Sequence, residues 1–540
     1  MLLVALLAAP LLAASVAFFA SGKDGAANSR LAIFLAFGIA LLGLPLVTCM
    51  PGLAISAPWF TLFGTHAQIN FSLAADGLSG WLIQLVTWIT PFAILGATKM
   101  AGDRMREFAA SVFAMEALMI GALLAQDLAL FYLFYEGMLV PMVVIICLFG
   151  GDDRRTSALW FVLYTMAGSI MMLVALWYLA ANCGTLDLAL LPAKLKELPA
   201  QAQFWLFWAV VLAFAVKVPI VPLHGWQART YAETPGAAVA LLAGAMAKLG
   251  TYGLLRFVLP LFPSLSVEYA PLFITLGLVA TVGGALVAMA QDDAKRMLAY
   301  SSLSHLGLVV AGIFTFEPAA LNGAAVQMVA HGLSVAAIFI LIGVVEQRAR
   351  MTGLDDFGGL VNQTPVLAVL FIISALASAG LPGTLNFVGE FQLLLGLFQN
   401  HGGMAFPFLD WSGIAWYNPL TWLGWGVAGT LVTTIFAGLS VILGVVYLLI
   451  LIQRWFYGKA RQGAETFADL SAGEAFAVIP LLIASFVFGF YPAPVASQAG
   501  AAAIRLGATA QQIQLAAAPA PAVVQPAPAA PAPSATHHVP

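Results

Sequence analysis

Runs of about 20 apolar residues recur from Leu2 almost to Tyr491, and a helix of that length crosses the hydrocarbon core of a bilayer. Backbone groups in lipid must find their hydrogen bonds within the segment, which selects helices for such runs. Charged residues make up 8% of the 540, against about 25% in soluble domains. The expected fold is therefore an all-α polytopic membrane protein. Fourteen spans are predicted near 2–20, 31–49, 78–98, 108–126, 128–149, 157–180, 203–222, 235–258, 271–290, 297–315, 321–345, 365–398, 422–452 and 474–491. The twelfth and thirteenth runs exceed one span, so each is expected to be tilted, broken or partly outside the membrane. The first run looks like a signal peptide, but no basic residue precedes Lys23 and the run is long enough to span. It is read as the first membrane helix.

Basic residues set the orientation, because inner loops carry the excess of Lys and Arg. With the N-terminus outside, the inner loops hold fifteen of the 21, the outer side holds Lys194, Lys196, Arg256 and Arg505, and only Lys217 and Lys248 lie within spans. Both termini are then expected on the outer side of the membrane. A net charge of −3 does not suit a nucleic-acid partner. Cys49, Cys147 and Cys183 are scattered, which argues against a disulfide framework, an Fe–S cluster or a structural zinc. From about Ala501 the chain turns to Ala, Pro and Gln, and 501–540 is expected to be a disordered tail that includes His537 and His538.

Five charged residues fall inside predicted spans: Glu116, Glu136, Lys217, Lys248 and Glu390. Each costs about 3 kcal/mol near mid-membrane, so unpaired they would cost roughly 15 kcal/mol, as much as a whole fold's stability. They must be paired, hydrated or neutralised. Intramembrane charge usually marks an ion or proton path. The alternative is a set of ion pairs that hold helices together.

Local sequence favours the path. Glu136 sits in LALFYLFYEGMLVPMVV, five residues before Pro141, whose ring removes a bond to the Gly137 carbonyl. Lys217 sits in AFAVKVPIVPLHGWQA, where Pro219 and Pro222 should break the seventh span just before His224. Lys248 sits in the small-residue run GAAVALLAGAMAKLG, which allows close helix contact. A buried lysine exchanges its proton readily. His305 in YSSLSHLG and His331 in MVAHGLS are candidate shuttles, since histidine titrates near about pH 6.5. Satisfied core histidines, or a bis-histidine haem site, are the competing readings of that pair. Glu390 in SAGLPGTLNFVGEFQ follows a Pro382–Gly383 break of the twelfth span. The two broken spans are five apart, an odd number, so a five-span repeat would be inverted, as in secondary transporters.

The runs DLALFYLFYEGMLVPM, KVPIVPLHGWQARTYAETP, KRMLAYSSLSHLG and LPGTLNFVGEF resemble the proton-pumping antiporter-like subunits of respiratory complex I and of multi-subunit cation/proton antiporters. The resemblance runs from about Asp127 to Glu390. It implies two inverted five-helix repeats with broken helices 7 and 12: three helices over 1–107, the repeats over 108–258 and 271–452, and a last helix over 474–491. It implies that Glu136 pairs with Lys217, that Lys248 is a central lysine, that His305 and His331 link a mid-membrane polar axis, and that Glu390 is its terminal site. Glu116 and His224 are auxiliary candidates. Three departures separate the chain from the L-type branch and point to the M-type: Glu390 where a lysine is usual, Val335 four residues after His331, and an Ala/Pro tail instead of a long lateral helix.

The implied function is proton translocation coupled to quinone reduction in other subunits, a translocase role without redox chemistry in this chain. No Gly-rich dinucleotide loop stands between a strand and a helix. The resemblance implies no cofactor or metal here, with NADH, FMN, Fe–S clusters and quinone in partner subunits, and neighbouring membrane subunits as partners. The alternatives are a subunit of a cation/proton antiporter or membrane-bound hydrogenase, and, from another class, a haem- or quinone-binding redox subunit.

Overall fold

The computed structural model describes residues 1–19, 25–48, 52–62, 64–400, 428–459 and 467–517. Among these, twelve helices are long and apolar enough to cross a membrane, and they fall on twelve of the fourteen predicted spans. The tenth predicted span is the Ala294–Ile313 helix, whose Lys295, Arg296 and serines make it less apolar. The twelfth is broken into Pro365–Ser378 and Leu385–Gln399. The first part of the predicted thirteenth, before Ala428, lies outside the described residues.

Two helices form the centre. Gly236–Leu261 and Pro318–Ala349 are wholly buried across their apolar windows. Small residues let them approach. A Cβ at Gly236 would lie 2.6 Å from the Gly343 Cα, and one at Gly244 would lie 3.2 Å from the Gly332 carbonyl oxygen. Without glycine the two backbones could not close on each other.

Helix starts are written in short polar side chains. The Asp76 side chain caps Gly77–Gly96 in a capping box with Ser79. Asp293 caps Ala294–Ile313 by accepting from the Arg296 amide at 2.9 Å. Asp127 caps Leu128–Gly137, accepting from Ala129 N at 2.9 Å and Leu130 N at 3.3 Å, and its other oxygen accepts from Asn70 N at 3.1 Å. Burial pushes the Asp127 carboxyl up, and these three backbone donors offset only part of that rise.

The helical fold is as expected, with one addition: Ala54–Thr61 and Gln68–Ala74 pair as an antiparallel hairpin between the second and third spans. Two expectations need correction. Residues 501–517, assigned to the disordered tail, form a helix. Its Ala502, Ala503 and Ala510 are buried, and Gln514 Nε2 donates to Asn400 Oδ1 at 3.2 Å. Alanine is the best helix former, and the prolines that would stop it come only later. The remainder of the tail, with His537 and His538, lies outside the described residues. Finally, Lys295 was placed in a loop but is fully buried, its Nζ 2.7 Å from Glu346 Oε1.

At the same end of Pro318–Ala349, Glu474 is held by two cations, Lys99 Nζ at 2.9 Å and Arg348 at 2.7 Å, and also accepts from the Ser471 amide at 2.7 Å. This carboxylate ties three helices together. Glu474→Ala should cost on the order of 2 kcal/mol, less than the ~3–5 kcal/mol of a fully buried pair because Lys99 is 60% exposed. A lowered midpoint of thermal unfolding in detergent, only partly recovered by Glu474→Gln, is the expected result; an unchanged midpoint would show the cluster to be ornamental.

Candidate functional site

The site residues sit where helices depart from regular geometry. Residues Leu242–Met246 are π-helical, so the Ala247 amide bonds to the Leu242 carbonyl at 3.0 Å and not to Ala243. That frees the Ala243 carbonyl. Lys248 Nζ takes it as acceptor at 2.5 Å and also contacts His331 Nδ1 at 2.7 Å. Both residues are 2% exposed or less.

The chain of polar side chains continues from there. The His331 and His305 rings lie 5.3 Å apart, tilted by 50°. His305 Nδ1 is 3.1 Å from Glu390 Oε1, which also accepts from Gln327 Nε2 at 3.2 Å. Tyr447, hydrogen-bonded to Ser301 Oγ at 2.7 Å, lies within electrostatic reach of Glu390. Four predicted residues, Lys248, His331, His305 and Glu390, are thus brought into one line. The helix break before Glu390 uses Gly380 and Gly383, at φ of +74° and +97°, a region that glycine alone enters freely. Asn386, just inside the restarted helix, donates to Ser334 Oγ at 3.0 Å and so braces the break against Pro318–Ala349.

Glu136 and Lys217 form a second group. The helix carrying Glu136 ends at Gly137 and restarts at Leu139, ahead of Pro141. The helix carrying Lys217 ends on it, and regular structure resumes only at Gln227. Trp226 Nε1 closes the break by donating to the Val216 carbonyl at 3.0 Å. The two charges lie within electrostatic reach, yet Lys217 Nζ has no hydrogen-bond partner. It stands 4.5 Å from the centre of the Tyr135 ring, a cation–π contact. Tyr135 in turn donates to the Ala213 carbonyl at 3.0 Å.

Glu116 is fully buried on another helix, near Thr90, and hydrogen-bonds to none of these groups. His224 packs edge-on near Tyr300, with Nδ1 unpartnered. Gln327, Tyr135 and Tyr447 were missed by sequence reading. Being uncharged, they carry no penalty that betrays them in an apolar run; only their place one helical turn or two from a charge on a neighbouring helix does so. Among the described residues, no group of three or more His, Cys, Asp or Glu is placed to hold a metal ion.

The family described as NADH:quinone oxidoreductase/Mrp antiporter, transmembrane, matches residues 125–415. NADH-quinone oxidoreductase subunit M of Rickettsia felis is 35% identical over 428 residues, 79% of this chain and 81% of that protein. Subunit M of Rhodobacter capsulatus is 34% identical over 511 residues, covering 91% and 93%. The chain belongs to the subunit M family of NADH-quinone oxidoreductases. A chain in the structure of respiratory complex I from Thermus thermophilus with bound NADH superposes with a TM-score of 0.79 at 28% identity, covering 94% of this chain and all of that one. Membership of the subunit M family agrees with the branch that Glu390 and Val335 indicated, and the antiporter and hydrogenase alternatives are not favoured.

Around the break in this subunit M chain, Lys217 Nζ, His224 Nδ1 and Thr230 Oγ1 are buried with no protein partner. Irregular backbone at membrane depth is tolerated beside a hydrated cavity, and buried polar atoms are almost always bonded to something. A high-resolution experimental density map should show ordered water on at least two of these three atoms. A dry, collapsed break would contradict this account of how the lysine is accommodated.

Proposed function

We propose that this chain moves protons through Glu136, Lys217, Lys248, His331, His305 and Glu390, as the subunit M of a proton-translocating NADH-quinone oxidoreductase. The observation that carries the reading is the row of side chains from Lys248 through His331 and His305 to Glu390, in contact pairwise at its two ends and joined by histidine rings 5.3 Å apart. Each member can hold or release a proton; Lys248–His331 and His305–Glu390 stand at hydrogen-bond distance, and between them His305 Nε2 is unpartnered. The haem alternative is weaker, because the two rings lie only 5.3 Å apart and tilted, which leaves no room for a porphyrin plane between them.

In this reading the chain does no redox chemistry. NADH, FMN, Fe–S clusters and quinone belong to partner subunits, and the neighbouring membrane subunits pass on the driving force. Both termini face outward, and the Lys99–Glu474–Arg348 end lies on the inner side. Fourteen spans then arise as three helices, two inverted five-helix repeats and a final helix. Cysteines introduced at 152 and 515 should be labelled from opposite faces; labelling from one face would reverse or break this topology.

Glu136 and Lys217 supply the switch. When the two are paired their charges neutralise one another. When the carboxylate withdraws, the ammonium is left against the Tyr135 ring in an apolar surround, and its proton moves on towards Lys248. The structure has the arrangement in which they are near but not bonded.

Glu136→Gln keeps the shape and removes the charge. In vesicles containing the assembled complex, coupled proton uptake should fall to about a tenth or less, equivalent to ~1.4 kcal/mol or more in the barrier. Lys217→Ala should do the same. The double variant should be no worse than either, because both residues act in one step. Near-normal pumping in Glu136→Gln at normal subunit levels would leave Glu136 as a structural partner only. In the same assay Glu390→Ala should impair uptake without loss of assembly, while Glu116→Ala should be milder; the reverse order would move the path away from Glu390.

A further inference from the structure

Away from the polar axis, a groove of about 410 Å³ lies between three helices, Gly25–Thr48, Gly77–Gly96 and Ile479–Phe490. Its lining is almost wholly apolar, with Phe37, Leu41, Trp88, Phe92, Ile483 and Phe488 prominent. It opens outward, since Leu41, Ile483 and Val487 on its lip are 65%, 56% and 53% exposed. The volume falls within the ~300–1,000 Å³ of small-molecule sites. Trp88 stacks on Phe488 with centroids 6.1 Å apart, and Trp81 meets the same ring edge-on at 5.2 Å, so the floor is rigid aromatic surface.

One end of the groove is basic. The Phe37 and Phe92 rings touch at 5.6 Å, and Phe476 lies 6.4 and 6.1 Å from them. Two residues from Phe476 is Glu474, whose carboxylate holds Lys99 at 2.9 Å. The Lys99 side chain is still 60% exposed, and its ammonium, with three donors, has only the Glu474 bond among the described contacts. Arg30, also exposed, lies seven residues before Phe37 on the same helix. Seven residues is two turns, about 10 Å along the axis and on the same face. Lys99 follows Phe92 by the same number of residues at the other helix's matching end. Two exposed cations therefore stand just beyond the end of an apolar slot.

We propose that this groove is a binding site for an anionic phospholipid, with one acyl chain lying along Trp88, Phe92 and Phe488 and the phosphate held by Lys99 and Arg30. Apolar lining, outward opening and a basic end match a lipid's own division into tail and anionic head, and basic pockets between membrane helices bind such headgroups. A slot of this volume suits a single acyl chain, and the cations at its end supply the charge that an anionic headgroup needs. The bound lipid would brace Ile479–Phe490 against the two N-terminal helices at a contact that is otherwise incompletely filled.

The test uses the assembled complex in vesicles doped with phosphatidylglycerol carrying a diazirine on its acyl chain, or with phosphatidylcholine carrying the same chain. After illumination, labelled peptides are mapped by mass spectrometry. The phosphatidylglycerol probe should label segments 37–44, 88–92 or 480–488 about fivefold more than the phosphatidylcholine probe, the weight of one basic residue at an anionic surface. Arg30→Gln, which leaves the Lys99–Glu474 pair intact, should lower that preference, as should Lys99→Gln, and the double variant should remove it. Ala484→Trp, which fills the slot, should suppress labelling by both probes. Equal labelling by the two lipids in the unaltered complex would overturn the proposal in favour of bulk lipid contact. An unlabelled groove would overturn it in favour of cover by a neighbouring subunit.

Discussion

An ammonium group in hydrocarbon must find an acceptor, and Lys248 finds two by distorting its own helix. The π turn at Leu242–Met246 withdraws one amide from the Ala243 carbonyl, and the lysine bonds to that oxygen and to His331. Much of the remaining architecture follows from this contact. His331 can reach Lys248 only if the two central helices nearly touch, and they can nearly touch only with glycine at Gly236 and Gly244. The other helices then shield the pair from lipid, because exposure on any side would return the cost that the contact removes.

The same constraint explains why helix breaks and charges occur together. A regular helix uses all its backbone groups internally and has nothing to offer a buried charge. At Gly137–Leu139, at 218–226 and at 379–384 the ladder is interrupted, and beside each interruption stands Glu136, Lys217 or Glu390. Trp226 repays one freed carbonyl from within the chain, and Asn386 steadies the third break through Ser334 and the Ser378 carbonyl. Glu116 is the contrast: it lies in an uninterrupted helix and hydrogen-bonds to none of the axis groups.

Most of this was legible in the sequence, for a physical reason. A charge or a proline in a 20-residue apolar run is a large local penalty, so Glu136, Lys217, Lys248, Glu390 and both later breaks stood out without any alignment. Less costly features did not. The π turn has no proline to announce it. Gln327 is a neutral amide that makes sense only beside Glu390, from which it is 63 residues distant in the chain. The hairpin at 54–74 depends on pairing with itself and on Asp127, so its short alternation says little alone. Lys295 lies at a helix start that sequence places at the interface, and only tertiary packing buries it against Glu346. The tail was misjudged because alanine-rich composition was read together with the prolines beyond it, although helix propensity is decided residue by residue.

The unequal connection along the axis bears on how a pump of this kind would be controlled. From Lys248 to Glu390 two of the three steps are direct polar contacts, Lys248–His331 and His305–Glu390, and the third is a 5.3 Å ring-to-ring approach between helices that pack against one another. Between Lys217 and Lys248 there is no such bond: Lys217 Nζ is unpartnered and rests on an aromatic face. A cation–π contact is weaker than a charge-assisted hydrogen bond and less directional. It holds the ammonium without fixing it. A gap of this kind is what a switch requires, since a path that conducted at every step would equilibrate protons across the membrane regardless of the driving reaction. Placing the loose link beside Glu136, at a helix already broken ahead of Pro141, puts the controllable step where a small backbone movement changes a charge separation most.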